Sequence, residues 1–269
     1  MEKINDLLKK IKENKAIIGK SGKLSSDLLK KINYKFRLNW NYHSNAMEGN
    51  SLTKEETRSV MINNITVEGK PLKDIIEMRG HDNIVTEILN IGKGKKRISE
   101  SRIKEIHKAI MHDDNPEQSA KIGKWKDHHN FLYNYRGEKI EFTPPEEVPV
   151  KMHELINWYG AELEKIEQNK KDALHVVIMA LEFHIRYVSI HPFFDGNGRT
   201  ARILMNFILI SNDFPPIIVK NEEKDPYGQY LADVQIYGGS PDVFYAFMLE
   251  KLLRSQQIIL DAIAGKNIE

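Results

Sequence analysis

The chain has 269 residues, with 40 Lys+Arg against 38 Asp+Glu and no Cys. That length buries a sizeable core in one large domain or two small ones. The lack of Cys excludes a disulfide scaffold, thiolate catalysis, Cys-ligated zinc and iron–sulfur clusters. A net charge of +2 gives no electrostatic case for a nucleic-acid binder.

Ile4, Leu7, Leu8 and Ile11 recur at helical spacing, and Gly19-Lys20-Ser21-Gly22 breaks that first helix. Ser25 or Ser26 is placed to cap a second helix with Leu28, Leu29, Ile32, Phe36 and Leu38. It runs on toward Met47 and stops at Gly49-Asn50. Thr53 and Glu56 form a capping box for a third helix. Pro71 suits the first turn of a long helix carrying Ile75, Ile76, Ile84 and Ile88. Residues 92–97 read as a basic hinge, followed by a helix with Ile103, Ile106 and Ile110.

The helical pattern breaks once. From Phe131 to Phe142, β-favouring residues flank Arg136-Gly137, which predicts a short hairpin ended by Thr143-Pro144-Pro145. Helix resumes near Val148. A helix from about Asp172 to Val188 is apolar almost all round, as expected of the centre of a fold. Pro215-Pro216 precedes two more helices. The fold class is all-α with one hairpin. No apolar run approaches the roughly 18–20 residues needed to span a bilayer, and the N-terminus has no targeting pattern. A soluble, cytoplasmic protein without membrane contact is expected.

Two signals carry little chemistry. Gly19-Lys20-Ser21 resembles the end of a phosphate loop, but Asn14 stands where Gly is needed and a helix, not a strand, precedes it. His175, His184 and His191 have no compact metal-ligand spacing, and the adjacent His128 and His129 would face opposite sides of a strand.

One segment stands apart: His191-Pro192-Phe193-Phe194-Asp195-Gly196-Asn197-Gly198-Arg199, with Arg202 three residues on. Gly196 and Gly198 allow unusual dihedrals and close backbone approach. The turn leads into a helix, whose N-terminus favours an anion. Asn197 adds an amide donor. Arg199 and Arg202 share a helix face and suit successive phosphates. Asp195 is a hard oxygen ligand for Mg²⁺. His191 is a candidate general base for a hydroxyl.

This segment resembles the signature of Fic-domain (Fido) proteins, H-P-F-x-D/E-G-N-G-R-x-x-R, with every fixed position present. Gly123-Lys124-Trp125-Lys126, the hairpin and Thr143-Pro144-Pro145 are similar to the family's flap region. The resemblance implies a helical Fic fold that moves AMP from ATP to a Ser, Thr or Tyr hydroxyl of a protein target or of itself. It implies His191 as base, Asp195 holding Mg²⁺, and Gly196, Asn197 and Gly198 cradling the α- and β-phosphates. Arg199 is implied on the β-phosphate and Arg202 on the γ-phosphate. The hairpin is implied to hold the target by strand-like pairing. Tyr227, Tyr230 and Leu231 resemble the family's adenine pocket, and Tyr237 and Tyr245 add candidate aromatic walls.

Ser44-Asn45-Ala46-Met47-Glu48-Gly49 resembles the family's inhibitory motif, S/T-x-x-x-E-G/N, in the class with an N-terminal inhibitory helix. The resemblance implies that Glu48 pairs with Arg202 and displaces the γ-phosphate. It also leaves open a dual enzyme that removes AMP, and a catalytically silent nucleotide-binding module. Expected divisions are an N-terminal helical region at 1–94, a Fic core at 95–254 and a C-terminal tail at 255–269. Relatives often pair, so a homodimer is an expectation. The 20 residues after Leu249 are too few for a winged helix, so the sequence lacks one or is a piece of a longer protein.

Overall fold

A computed structural model of the chain describes residues 2–268 except 23, 64–65, 92–96, 134–135, 169–171 and 173. The basic hinge therefore falls mostly outside the described residues. The first helices are α1 (Glu2–Lys20), α2 (Ser26–Ala46), α3 (Lys54–Asn63) and α4 (Leu72–Leu89). Next come α5 (Glu100–Ile110) and the single turn α6 (Pro116–Ser119). A hairpin of β1 (Phe131–Tyr133) and β2 (Lys139–Glu141) precedes α7 (Val148–Glu167) and α8 (His175–Ile190). The chain ends with α9 (Asn197–Ile210), α10 (Lys224–Tyr237) and α11 (Asp242–Ile263).

Local sequence sets several boundaries as expected. The Ser25 hydroxyl accepts from Leu28 N at 3.2 Å and starts α2. Thr53 N donates to Glu56 Oε2 at 2.7 Å while Glu56 N donates to Thr53 Oγ1 at 3.1 Å, a reciprocal box that starts α3. The hairpin is antiparallel, with Leu132 opposite Ile140. His128, in a bend, and His129 both precede β1 rather than lying on a strand.

The central pair is α8 and α9. Val177, Ala180, Leu181, Phe183 and Tyr187 on α8 are fully buried, as are Ile203, Leu204, Met205 and Leu209 on α9. Burying one side chain of the size of Phe183 contributes about 1.5–3 kcal/mol. Helix α7 packs on α8, while α5, α4 and α2 pack on α9. Helix α1 lies along α11, and Leu7, Ile11, Ile32, Phe36 and Trp40 join the same core as α8 and α9. The N-terminal helices thus share one interior with the rest. The expected boundary at 254–255 falls inside α11, because Leu252, Ser255, Gln256 and Ala262 continue its buried face.

A polar network fixes α2 against α4. Arg37 grips Asp82 through Nε at 2.6 Å and Nη2 at 2.5 Å. Asn41 Nδ2 donates to the same Asp82 at 2.6 Å, and Asn41 Oδ1 lies 2.6 Å from His81 Nδ1. Burial holds His81 well below its ordinary pKa, so the ring is neutral. These bonds set the rotation of α2 and bring its C-terminal end onto α9.

Candidate active site

The loop from His191 to Gly196 joins α8 to α9. His191 ends α8 in the left-handed region, with φ 52 and ψ 61. For a residue with a Cβ this conformation costs about 1–2 kcal/mol, and it persists because neighbours on every side fix the ring. Asn197 staples the loop: Phe193 N donates to its Oδ1 at 2.9 Å, and its Nδ2 donates to Phe193 O at 2.9 Å. Both ends of this amide are engaged within the loop, and Asn197 is buried. It shapes the turn rather than offering a free donor to phosphate, which corrects the sequence expectation.

His107 supports the loop from below. Gly123 N donates to its Nδ1 at 2.9 Å, so Nε2 carries the proton and donates to Asp195 O at 2.9 Å. Its ring stacks on Phe193, with centroids 3.7 Å apart. Burial lowers its pKa to about 4, keeping it neutral. Gly196 is left-handed, and a Cβ there would lie 2.5 Å from Met111 Sδ. Gly196→Ala is expected to cost about 1–3 kcal/mol through overpacking and strain. The reading is a lower urea midpoint at unchanged slope.

Arg202 projects from α9 to the end of α2. Its Nε donates to Ser44 Oγ at 3.1 Å, and Nη2 donates to Ser44 O at 3.0 Å and to Glu48 Oε1 at 2.7 Å. Burial opposes the charge on Glu48, but Arg202 beside it prevails and holds the carboxyl below its ordinary pKa. A Cβ on Gly198 would meet Glu48 Oε1 at 2.6 Å and Arg202 Nη1 at 3.1 Å. The missing side chain at 198 is what lets a carboxylate stand over the N-terminus of α9, where an anion is favoured. Gly49 follows with φ 91 and turns the chain away.

Arg199 behaves differently from its expected role. Its Nη1 donates to Glu77 Oε2 at 2.6 Å and to Ile110 O at 3.3 Å. Side chains 199 and 77 are only 5% and 6% exposed. A buried guanidinium needs a counter-charge, and α4 supplies it. In this arrangement Arg199 ties α9 to α4 and α5. Glu77→Gln leaves that cation buried without its counter-charge and is expected to cost about 3–5 kcal/mol in chemical denaturation.

A cleft of about 680 Å³ opens between the hairpin, the end of α2 and α10. Glu48 and Arg202 lie at one side, with Leu132, Tyr133, Ile140, Lys224, Tyr227 and Leu231 among its walls. Of the residues expected around an adenine, Tyr227 and Leu231 line this cleft. The Tyr227 hydroxyl is tied to His184 Nε2 at 2.8 Å. Tyr230 does not reach the cleft: it lies in a separate groove with Lys3 and Ile4, against Phe247. Tyr230 stands only three residues after Tyr227, but its ring turns onto Phe247 of α11 rather than into the cleft. Tyr237 is bonded to Glu138 of the hairpin, and Tyr245 donates to Glu182 at 2.6 Å. Neither lines the cleft.

Asp195 is exposed at the loop tip, and one carboxylate oxygen accepts from Gly196 N at 2.6 Å. Among the described residues there is no group of three or more His, Cys, Asp or Glu able to hold a metal. A single exposed carboxylate fits Mg²⁺, which takes one or two carboxylates and completes its shell with phosphates and water.

The surroundings of His191 were only partly legible. Nδ1 accepts from Asn130 Nδ2 at 2.9 Å and from Asn197 Nδ2 at 3.1 Å. Phe142 stacks on the ring with centroids 3.8 Å apart and planes 10° apart. Lys126 Nζ donates to Asn130 Oδ1 at 2.6 Å. Burial, then the Lys126 charge, lower the His191 pKa to about 3. Sequence reasoning assigned no individual role to Asn130, His107 or Glu77. It took in Lys126 only as part of the flap resemblance and Phe142 only as the end of the hairpin.

The helix N-terminus, the buried arginine and the histidine meet on one helical scaffold, an arrangement whose free N–H groups and cation suit an anion. The Fic/DOC family model matches residues 97–209. A Fic domain containing signaling protein from Bacteroides thetaiotaomicron is 30% identical, with a TM-score of 0.86, covering 97% of this chain and 98% of that one. The chain belongs to the Fic/DOC family. Fic-1 from C. elegans shares the fold at 22% identity and a TM-score of 0.79, covering 97% of this chain and 73% of that one. Protein adenylyltransferase Fic of Nematostella vectensis is 30% identical over 196 residues, 71% of this chain. The chain spans 41% of the length of that relative. The fold and the family resemblance are as expected from the motif. No helix among the described residues is long and apolar enough to cross a membrane.

Proposed function

We propose that this chain transfers AMP from ATP to a hydroxyl of a protein, and that Glu48 restrains it. The observation that carries the proposal is the Glu48 carboxylate, 2.7 Å from Arg202 Nη2 and directly over Gly198. A carboxylate held on a buried arginine above a helix N-terminus stands in for a phosphate. Relatives named protein adenylyltransferase support the choice of ATP.

ATP enters the cleft with its base among Ile140, Tyr227 and Leu231. Once Glu48 withdraws, the γ-phosphate takes its place on Arg202. The first turn of α9 faces the α- and β-phosphates with free N–H groups. Asp195 would hold Mg²⁺, which neutralises phosphate charge when bound. A target hydroxyl attacks the α-phosphorus, the bond to the bridging oxygen breaks, and pyrophosphate leaves. His191 accepts the hydroxyl proton at Nε2, the ring nitrogen with no hydrogen bond among the described residues. The target lies along the hairpin, where Phe131, Leu132 and Tyr133 are 51%, 41% and 65% exposed.

While Glu48 stays, ATP binds with displaced phosphates, so geometry for attack is lost rather than all affinity. The same site accounts for self-modification when a hydroxyl of this chain or of a second copy reaches it. Intact-mass measurement after incubation with ATP and Mg²⁺ tests the reading. Addition of AMP to the chain or to an offered target protein is expected. Addition of a phosphate alone would replace AMP transfer with phosphorylation.

A further inference from the structure

We infer that Asn130 is a positioning residue that holds His191 in its non-basic tautomer until the hairpin moves. The consequence for catalysis rests on the base role given above; the tautomer itself does not.

Asn130 is the last residue before β1, and its amide is engaged at both ends. Oδ1 accepts from Lys126 Nζ at 2.6 Å. Nδ2 donates to Phe193 O at 3.1 Å and to His191 Nδ1 at 2.9 Å. Turning the amide over would set Oδ1 against a carbonyl and Nδ2 against an ammonium, so its orientation is fixed. The Asn197 amide is fixed in the same sense by Phe193 N and O, and it too donates to Nδ1. Two donors on one nitrogen make it an acceptor. A neutral imidazole has a single N–H, which therefore sits on Nε2.

That is the wrong nitrogen for a base acting through Nε2. Freeing the Nε2 lone pair moves the proton to Nδ1, where it needs an acceptor. Asn197 cannot turn without breaking the loop it staples. Asn130 can turn once movement of the hairpin draws it away from Phe193 O and Lys126 Nζ, the two groups that hold its present orientation. Rotation would present Oδ1 to Nδ1–H and leave Nε2 ready to take a proton. Phe131, the next residue, begins the strand on which a target pairs. Docking of a target strand is therefore coupled to the atom that sets the tautomer. The charged groups bearing on the ring are Lys126 from the flap and Glu48 from the end of α2.

The test uses the full chain with labelled histidine nitrogens, comparing wild type, Asn130→Ala and Asn130→Asp by long-range proton–nitrogen NMR. Wild type is expected to carry its His191 proton on Nε2. Asn130→Asp places an acceptor at Nδ1 and is expected to move the proton there, while retained shift dispersion confirms the fold. A wild-type proton on Nδ1, or no change in Asn130→Asp, overturns the inference. In a Glu48→Gly background, Asn130→Asp is expected to transfer AMP about tenfold faster than Asn130→Ala. A switched tautomer with no AMP transfer by any form supports the positioning role and overturns the base role instead.

Discussion

Glu48→Gly is expected to raise AMP transfer on the order of 10²-fold over wild type, the scale of rate lost when reacting groups are misplaced by about an ångström. The measurement is label incorporated into protein from ATP radiolabelled at the α-phosphate. The effect follows from one contact and one space. Glu48 Oε1 is 2.7 Å from Arg202 Nη2, and it occupies the space that Gly198 leaves open. Removing the carboxylate frees both the cation and the volume. Ser44 keeps its two bonds to Arg202, so the guanidinium stays in place. The Glu48 side chain is 36% exposed, so little packing is lost with it. The buried Arg202 then lacks a counter-charge, and ATP supplies one. ATP should therefore raise the melting temperature of Glu48→Gly more than that of wild type. An unchanged transfer rate would remove Glu48 from the regulation of the site.

His191→Ala is expected to lower transfer by about 10²–10⁴-fold, the range for a lost general base, while ATP binding measured by calorimetry stays within a few-fold. The nucleotide contacts proposed here come from Arg202, Asp195 and the first turn of α9, none of which uses the imidazole. The loop survives the substitution because Asn197 staples it and His107 holds Asp195 O from beneath. A loss of ATP binding equal to the loss of transfer would place His191 in nucleotide binding instead. Retained transfer would take the base role from it.

The difference between these residues and the ones the sequence did not mark is one of distance along the chain. The capping box at Thr53 and Glu56, the Ser25 cap and the largely apolar α8 are local patterns, legible because their partners lie within a few residues. The loop from His191 to Arg202 was legible because its chemistry is contiguous. Asn130 meets His191 across 61 residues, His107 meets Asp195 across 88 and Glu77 meets Arg199 across 122. No periodicity links such pairs. The same limit explains the roles that shifted. Arg199 shares a helix with Arg202, but a carboxylate on α4 claims it. Asn197 looked like a free donor, but the backbone of Phe193 uses both ends of its amide. Tyr230 and Tyr245 lie on helices for which sequence alone does not say which face meets the cleft.

The most direct measurement compares ATP labelled at the α-phosphate with ATP labelled at the γ-phosphate, using Glu48→Gly with Mg²⁺. Label entering protein from the α position alone, absent when Glu48→Gly is combined with His191→Ala, is the predicted result. Label entering from the γ position, or from neither, would contradict AMP transfer by this site.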